Sequence, residues 1–214
     1  TYNNGWSPSG DPTGIAVLCD NIIIAAGDVT LVSNTNFNTL TVAPGASLTV
    51  AAGVTITSSG SITLESTSTS YSSLLLNGTI DGTVHYKRFV NSYTNDATNN
   101  DNDLVSAPLT GETFGSFAAA NTNLLASGSL RAFAPFDKTT GSYTNYDTAI
   151  NSGSSITAGT GYRVATNDGA TVTFTGEVQT GNVTVNIVDA GPNFADWNLI
   201  GNPYPSYVSA SDFL

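Results

Sequence analysis

Three aspartates in one short polar loop are the first residues to weigh. Asp96, Asp101 and Asp103 stand within NDATNNDND, with asparagines between and around them. Oxygen donors at near-alternate spacing suit calcium, a hard cation that takes carboxylate and amide oxygens. Glu112 falls eleven residues after Asp101, where an EF-hand loop places its last ligand. Position six of that frame is Ser106 where the hand needs glycine, and Val105 beside it belongs to an apolar strand, so the EF-hand pattern fails. A looser calcium loop is one reading; a solvated Asn/Asp loop is the plainer one. The expectation is no cofactor, or calcium.

Other chemistries find fewer residues. The chain has one cysteine, Cys19, and one histidine, His85, which cannot furnish a structural zinc site. Cys19 lies in the apolar run IAVLCDNIII and reads as a small buried hydrophobe, with a catalytic or intermolecular thiol as the alternative. Nucleophilic catalysis needs a base. His85 is the only imidazole, it sits in a strand beside Tyr86, and no G-x-S-x-G elbow accompanies it. Paired carboxylates for glycoside hydrolysis need a fixed separation, whereas Glu65, Glu112 and Glu177 occupy three unrelated settings. Sugar binding has more material. Tyr143, Tyr146, Tyr162, Tyr204 and Tyr207 suit a stacking groove, against the alternative that they are core and rim residues of a sandwich.

The elements that must position these residues read as strands. Residues 37–64, FNTLTVAPGASLTVAAGVTITSSGSITL, alternate aliphatics with threonine or serine: Leu40/Val42, Leu48/Val50, Val54/Ile56, Ile62/Leu64. Period two buries one face of a pleated strand and leaves hydroxyls on the other. Pro44-Gly45, Ala52-Gly53 and Ser59-Gly60 read as turns between very short strands. Two architectures fit: a β-solenoid of stacked rungs, or a meander of hairpins, for which Asn77-Gly78 and Asp81-Gly82 are type I′ signals. Over residues 20–80 the stacked rungs are preferred, because S-L-T-V and S-I-T-L repeat as equivalent phrases. VHYKRFV (84–90) is a longer strand carrying His85, Lys87 and Arg88, and 91–103 is a loop.

From Asp103 the strands lengthen and become aromatic: 130–136, 161–166, 171–178, 182–188 and 196–201, separated by Gly, Asn or Asp. That spacing predicts an antiparallel sandwich or jelly roll. GSFAAANTNLLA (115–126) is the one stretch of helical composition. The fold expected is therefore all-β, with a solenoid-like module at 1–90, a β-sandwich module at 91–214 and at most one short helix. A phrase also recurs at a constant offset of 95: Leu104, Val105 and Pro108 match Leu199, Ile200 and Pro203, with Phe117 and Phe213 following. Either the second copy opens a further unit, or it returns to pair with the Leu104 strand, which is the preferred reading.

Composition bounds the partners. Only 10% of the 214 residues are charged, against roughly 25% in an average soluble domain. The formal net charge is −11. Such a surface repels phosphate backbones and anionic lipid, so no nucleic-acid partner is expected. No apolar run reaches spanning length, so no membrane insertion is expected. Residue 1 begins a polar TYNNGW with neither a basic start nor an apolar h-region; the expectation is a chain whose leader was removed, or an internal fragment.

The quoted phrases carry a resemblance. GWSPSGDPT followed by LTVAPGASLTV, and NDLVSAPLTGETFGSFAAAN with APFDKTTGSY, GTGYRVAT, VTFTGEV and WNLIGNPYPSYVSASDFL, resemble modules of secreted Bacteroidota proteins that use the type IX secretion system. Those proteins are multi-domain and adhesin-like. The resemblance implies a secreted or cell-surface location, and partners that are other copies or other domains of the same surface protein, or glycans. It also implies a modification, since Asp147-Thr148-Ala149 resembles their D-S/T-aliphatic O-glycosylation acceptor, with Thr148 the acceptor. The function expected is a non-catalytic structural or adhesive module of a bacterial surface protein or filament. The rival is a carbohydrate-binding module of a secreted polysaccharide-degrading enzyme.

Overall fold

The computed structural model of the chain describes residues 1–3, 5–6, 18–94, 101–189, 196–209 and 211. Asp96, Phe213 and the 7–17 part of the N-terminal phrase lie outside them. The first half comprises β1 (Tyr2–Asn3), β2 (Asn21–Ala26), β3 (Asp28–Leu31), β4 (Thr35–Val42), β5 (Ser47–Val50), β6 (Thr55–Leu64), β7 (Ser73–Leu76) and β8 (Thr79–Phe89). From β2 onward they alternate between two parallel sheets, β2-β4-β6-β8 and β3-β5-β7. This is a β-solenoid of about three turns.

The two-residue period explains why the rungs stack. Ile22, Leu40, Ile62 and Val84 share one register across the first sheet, and Ile24, Val42, Leu64 and Tyr86 share the next. Val29, Leu48 and Leu74 align in the second sheet. All eleven are buried. Each aliphatic withdrawn from water contributes roughly 1.5–3 kcal/mol, and a one-residue slip would turn the whole ladder outward. The outward positions stack too: Thr39 on Ser61 on Thr83, and Thr41 on Thr63 on His85.

The second half adds β9 (Asp103–Ser106), β10 (Leu109–Thr110), α1 (Phe114–Ala120), β11 (Ala126–Ser127), β12 (Leu130–Arg131), β13 (Phe133–Asp137), β14 (Ser142–Tyr143), β15 (Gly161–Val164) and β16 (Thr171–Val178). The first solenoid sheet does not stop at β8. Strand β16 pairs antiparallel with β8 over Thr171–Gly176, and β10 pairs with β16, giving one seven-stranded sheet. A four-stranded antiparallel sheet, β14-β13-β15-β9, lies apart from it, and β11 and β12 make a small hairpin. Helix α1 bridges the two sheets. Its Phe117 stacks on Phe174 of β16 at 4.8 Å and packs on Phe133 of β13 at 4.7 Å, and Phe133 stacks on Tyr162 of β15 at 4.4 Å.

The residue-90 junction is tied from both sides. Thr166 is fully buried, and its hydroxyl donates to the carbonyls of Val90 (3.1 Å) and Asn91 (3.0 Å) while accepting from the N–H of Gly169 (3.1 Å). One cluster of buried apolar side chains runs from Ile22 to Phe174 across that junction.

Several local expectations change. Asn77-Gly78 is no hairpin: it is the corner between β7 and β8, which belong to different sheets. A Cβ on Gly78 would sit 2.2 Å from the Val54 carbonyl oxygen and 2.5 Å from that of Ala51, so glycine is there for close approach between rungs. Asp81-Gly82 and Ser59-Gly60 lie inside β8 and β6, at a register irregularity between those strands. Helix α1 ends earlier than its composition suggests, because Asn121 leaves the helical path to bond with β16. Residues 182–188 form no strand and are largely exposed. The backbone of Val188 is met instead by the Asn198 side chain, at 3.0 and 3.2 Å. Residues 196–201 contribute one bridge, Ile200 to Thr160. Cys19 is exposed in a turn before β2, because the inward alternation of β2 begins only at Ile22.

Candidate functional site

Strand β8 places Tyr86 and Arg88 on one face, two residues apart, with Tyr86 inside the solenoid ladder and Arg88 at its rim. The loop from Ser66 to Ser70 leads to Tyr71. The Arg88 guanidinium carbon lies 3.8 Å from the centre of the Tyr71 ring, within cation–π range. Burial raises the Tyr86 hydroxyl above its ordinary pKa, and the nearby Arg88 charge, which also hydrogen-bonds it, works in the opposite direction.

The C-terminal phrase closes the other wall. The Ile200 bridge to Thr160 and the Gly201 N–H donating to the Gly159 carbonyl (2.8 Å) seat it beside β15. Ser106 of β9 donates to the Asn202 carbonyl at 2.5 Å. A Cβ on Gly201 would meet Ser106 Oγ at 2.3 Å, so the backbone passes where only glycine fits. Asn202 then shapes the NPYPS turn, accepting from the Tyr204 N–H (3.0 Å) and donating to the Ser206 carbonyl (2.5 Å). The buried Pro205 presents its carbonyl to the N–H of Leu74 at 2.7 Å. That bond caps the outer edge of β7, an otherwise open row of backbone groups. Tyr207 stacks on Tyr71 with centroids 4.8 Å apart, and its hydroxyl donates to the Tyr71 carbonyl at 3.3 Å.

The result is a cleft of about 350 Å³ between solenoid, four-stranded sheet and C-terminal strap, with Tyr71, Tyr86, Arg88, Leu104, Tyr204 and Tyr207 on its walls. A second hollow of about 220 Å³ shares Tyr71, Arg88 and Leu104 and continues along the hydroxyls of Ser66–Ser70. Among the described residues, Lys87 pairs with Glu65 at 2.8 Å, and no carboxylate lies within ion-pair distance of Arg88.

The five tyrosines do not form one groove. Tyr204 and Tyr207 share the cleft. Tyr162 is 2% exposed and stacked against Phe133, and Tyr146 packs edge-on to Phe114 at 5.0 Å. Both serve the aromatic core, because the four-stranded sheet turns that face inward. Tyr143 stands at the sheet edge against Phe136, with Arg163 4.4 Å from its ring centre. Sequence reading passed over Tyr71, Tyr86 and Arg88. The signal for them was the cluster His85-Lys87-Arg88 in a chain with only five lysines and arginines.

The two proposed calcium ligands among the described residues, Asp101 and Asp103, are engaged locally. Both carboxylate oxygens of Asp103 accept from Asn91, backbone N–H at 2.6 Å and side chain at 3.0 Å, and Asp101 accepts from Thr94 at 2.7 Å. No group of three His, Cys, Asp or Glu residues is disposed to hold a metal among the described residues. Thr148 lies in a turn, half-buried, and its hydroxyl donates to the Ser129 carbonyl at 3.1 Å. His85 faces the Thr175 hydroxyl at 3.0 Å; burial, then the Lys87 charge, lower its pKa. No described helix is long and apolar enough to cross a membrane.

One family model matches the chain over residues 1–214, that of a domain of unknown function, DUF8693. The chain belongs to that family. No curated protein and no solved structure matches it.

Proposed function

We propose that this domain is a stiff, non-catalytic structural and adhesive module of an extracellular bacterial surface protein. The observation that carries the reading is the seven-stranded sheet running from the solenoid into the antiparallel half without a break. A parallel stack transmits load from rung to rung, since each turn contacts its neighbours. The Thr166 junction and the strap from Ile200 to Tyr207 restrain relative motion of the halves. Concentration-dependent assembly into fibres, followed by sedimentation and electron microscopy, supports this reading. Turnover of any polysaccharide, ester or peptide in a hydrolase panel sinks it.

A second reading, carbohydrate binding, is favoured by the cleft itself. Tyr71, Tyr204 and Tyr207 converge there with Arg88 beside a hydroxyl-lined hollow. Aromatic rings offer flat apolar faces with polar tips, which suits a pyranose. Selective retention on an insoluble polysaccharide, lost in Tyr207→Ala, would move the assignment to this reading.

A further inference from the structure

The geometry points to a carboxylate-bearing saccharide, of the uronate or sialate type, as the ligand of the cleft, with Arg88 as the residue that selects the acid. The inference rests on the carbohydrate-binding reading of the same cleft.

The argument begins with charge. The chain carries five lysines and arginines against sixteen acids. Among the described residues Lys87 pairs with Glu65 at 2.8 Å, while Arg131 bonds backbone carbonyls and Arg163 lies over the Tyr143 ring. Arg88, the neighbour of Lys87, lies above the Tyr71 ring at 3.8 Å and borders the cleft, which Arg131 and Arg163 do not. Stacking fixes the plane of a guanidinium without consuming its N–H donors. A planar fork of donors is the arrangement that a carboxylate matches bidentately.

The surroundings favour a sugar as the carrier of that carboxylate. Arg88 stands where the two hollows meet. On one side Tyr207, stacked on the far face of Tyr71 from Arg88, offers its outer ring face, and on the other Ser68, Thr69 and Ser70 offer hydroxyls. A saccharide has both an apolar ring face and hydroxyls, so one residue stacks while its neighbour hydrogen-bonds. Asp103 borders the hydroxyl side, but both its oxygens already accept from Asn91, which reduces its repulsion of an incoming acid. The net charge of −11 opposes polyanions at long range, so short oligosaccharides are the fitting probes.

The test is calorimetric titration of the full chain with short oligosaccharides bearing galacturonate, glucuronate, mannuronate or sialate, each beside its methyl ester, in 150 mM salt. The ester keeps ring and hydroxyls and removes only the charge. At least one acid should bind about 10- to 100-fold more tightly than its ester, the range expected of hydrogen bonds to a charged group. Arg88→Gln should abolish that preference, so that acid and ester bind equally. Tyr207→Ala, at an exposed ring, should weaken acid and ester alike, and an unchanged urea midpoint of the Arg88 variant shows that it is folded. Equal binding of acid and ester overturns the inference and leaves the carbohydrate reading standing. Failure of every saccharide to bind overturns both and leaves the structural reading. Equally tight binding of an oligoglutamate peptide also overturns the inference, because the saccharide ring would then contribute nothing.

Discussion

Replacing Glu112 by glutamine should stabilise the domain at neutral and alkaline pH and do almost nothing at pH 4.5. Glu112 is 8% exposed, and one carboxylate oxygen accepts the Thr175 N–H at 3.1 Å. Burial pushes its carboxyl from the ordinary 4.5 up to about 7, and the Thr175 bond only partly offsets this. The folded state therefore holds a proton that the unfolded chain has released anywhere between those two values. Stability falls as pH rises through that window, because the folded state there binds more protons than the unfolded one. A displacement of this size costs about 3 kcal/mol once the folded carboxyl is ionised.

Glutamine preserves the shape and the acceptor for Thr175 while removing the charge. Its advantage over glutamate should be near zero at pH 4.5, grow through pH 6 and level off at about 3 kcal/mol by pH 8. In a domain of this length that corresponds to a melting-temperature gain of about 10 °C. Urea titrations of both proteins at pH 4.5, 6, 7 and 8 give the differences directly. His85, whose pKa is lowered by burial and then by the Lys87 charge, faces the Thr175 hydroxyl, so the series is repeated in a His85→Gln background. A stability difference that does not change with pH in either background refutes the reasoning, since burial of a charge is then not what Glu112 contributes.

Three further substitutions test the packing. Asn121 is 3% exposed, donates to the carbonyls of Phe117 (2.8 Å) and Thr173 (2.9 Å), and accepts from the Thr173 N–H (2.7 Å); Asn121→Ala should cost about 3 kcal/mol by chemical denaturation, since it orphans buried backbone groups. Gly78→Ala should lower the unfolding free energy by at least about 2 kcal/mol, in the range for overpacking, because its Cβ meets two carbonyl oxygens. The Ser72 hydroxyl is buried with no hydrogen-bond partner among the described residues, so Ser72→Ala should be neutral or stabilising by up to about 1 kcal/mol, and a clear loss of stability would show that it has one.

The solenoid was legible because its signal is local and repeated. Alternation at Leu40/Val42, Leu48/Val50 and Ile62/Leu64 states which side chains face inward, and stacking then needs no more than alignment of equal phrases. The turns were less legible. Asn77-Gly78 has the residues of a type I′ hairpin turn, yet Gly78 is not among the glycines of positive φ and serves close approach between rungs; what decides is whether the next strand runs parallel, a property of the whole stack. Ser59-Gly60 misled for a related reason, since a bulge inside β6 uses the same small residues as a turn. The 182–188 run failed because alternation describes a strand only if another strand supplies its hydrogen bonds, and here Asn198 supplies them from a side chain. Half of the cleft was visible, as tyrosines of the end phrase. The other half was not, because Tyr71 and Arg88 reach it from elements more than a hundred residues earlier in the chain.

The repeated phrase has a physical explanation in this arrangement. Both copies run antiparallel to the same stretch of chain: Ser106 pairs with Gly161 and Val105 with Tyr162, while Ile200 pairs with Thr160. Each copy supplies a β-branched residue, Val105 or Ile200, flanked by leucine, and each then breaks at a proline, Pro108 or Pro203, which cannot continue a ladder. The first copy makes a four-pair ladder with β15. The second was expected to pair with the Leu104 strand, and it returns to the same place, yet it makes one bridge and touches the first copy through the Ser106–Asn202 bond. Two glycines let it come close: Leu199 packs where a Cβ on Gly161 would stand, and Gly201 passes where its own Cβ would strike Ser106. From there it reaches Leu74 and Tyr71, which a ladder partner held alongside β9 would not do. The mismatch between the two copies is therefore what frees the end phrase to close the solenoid edge and form the wall of the cleft.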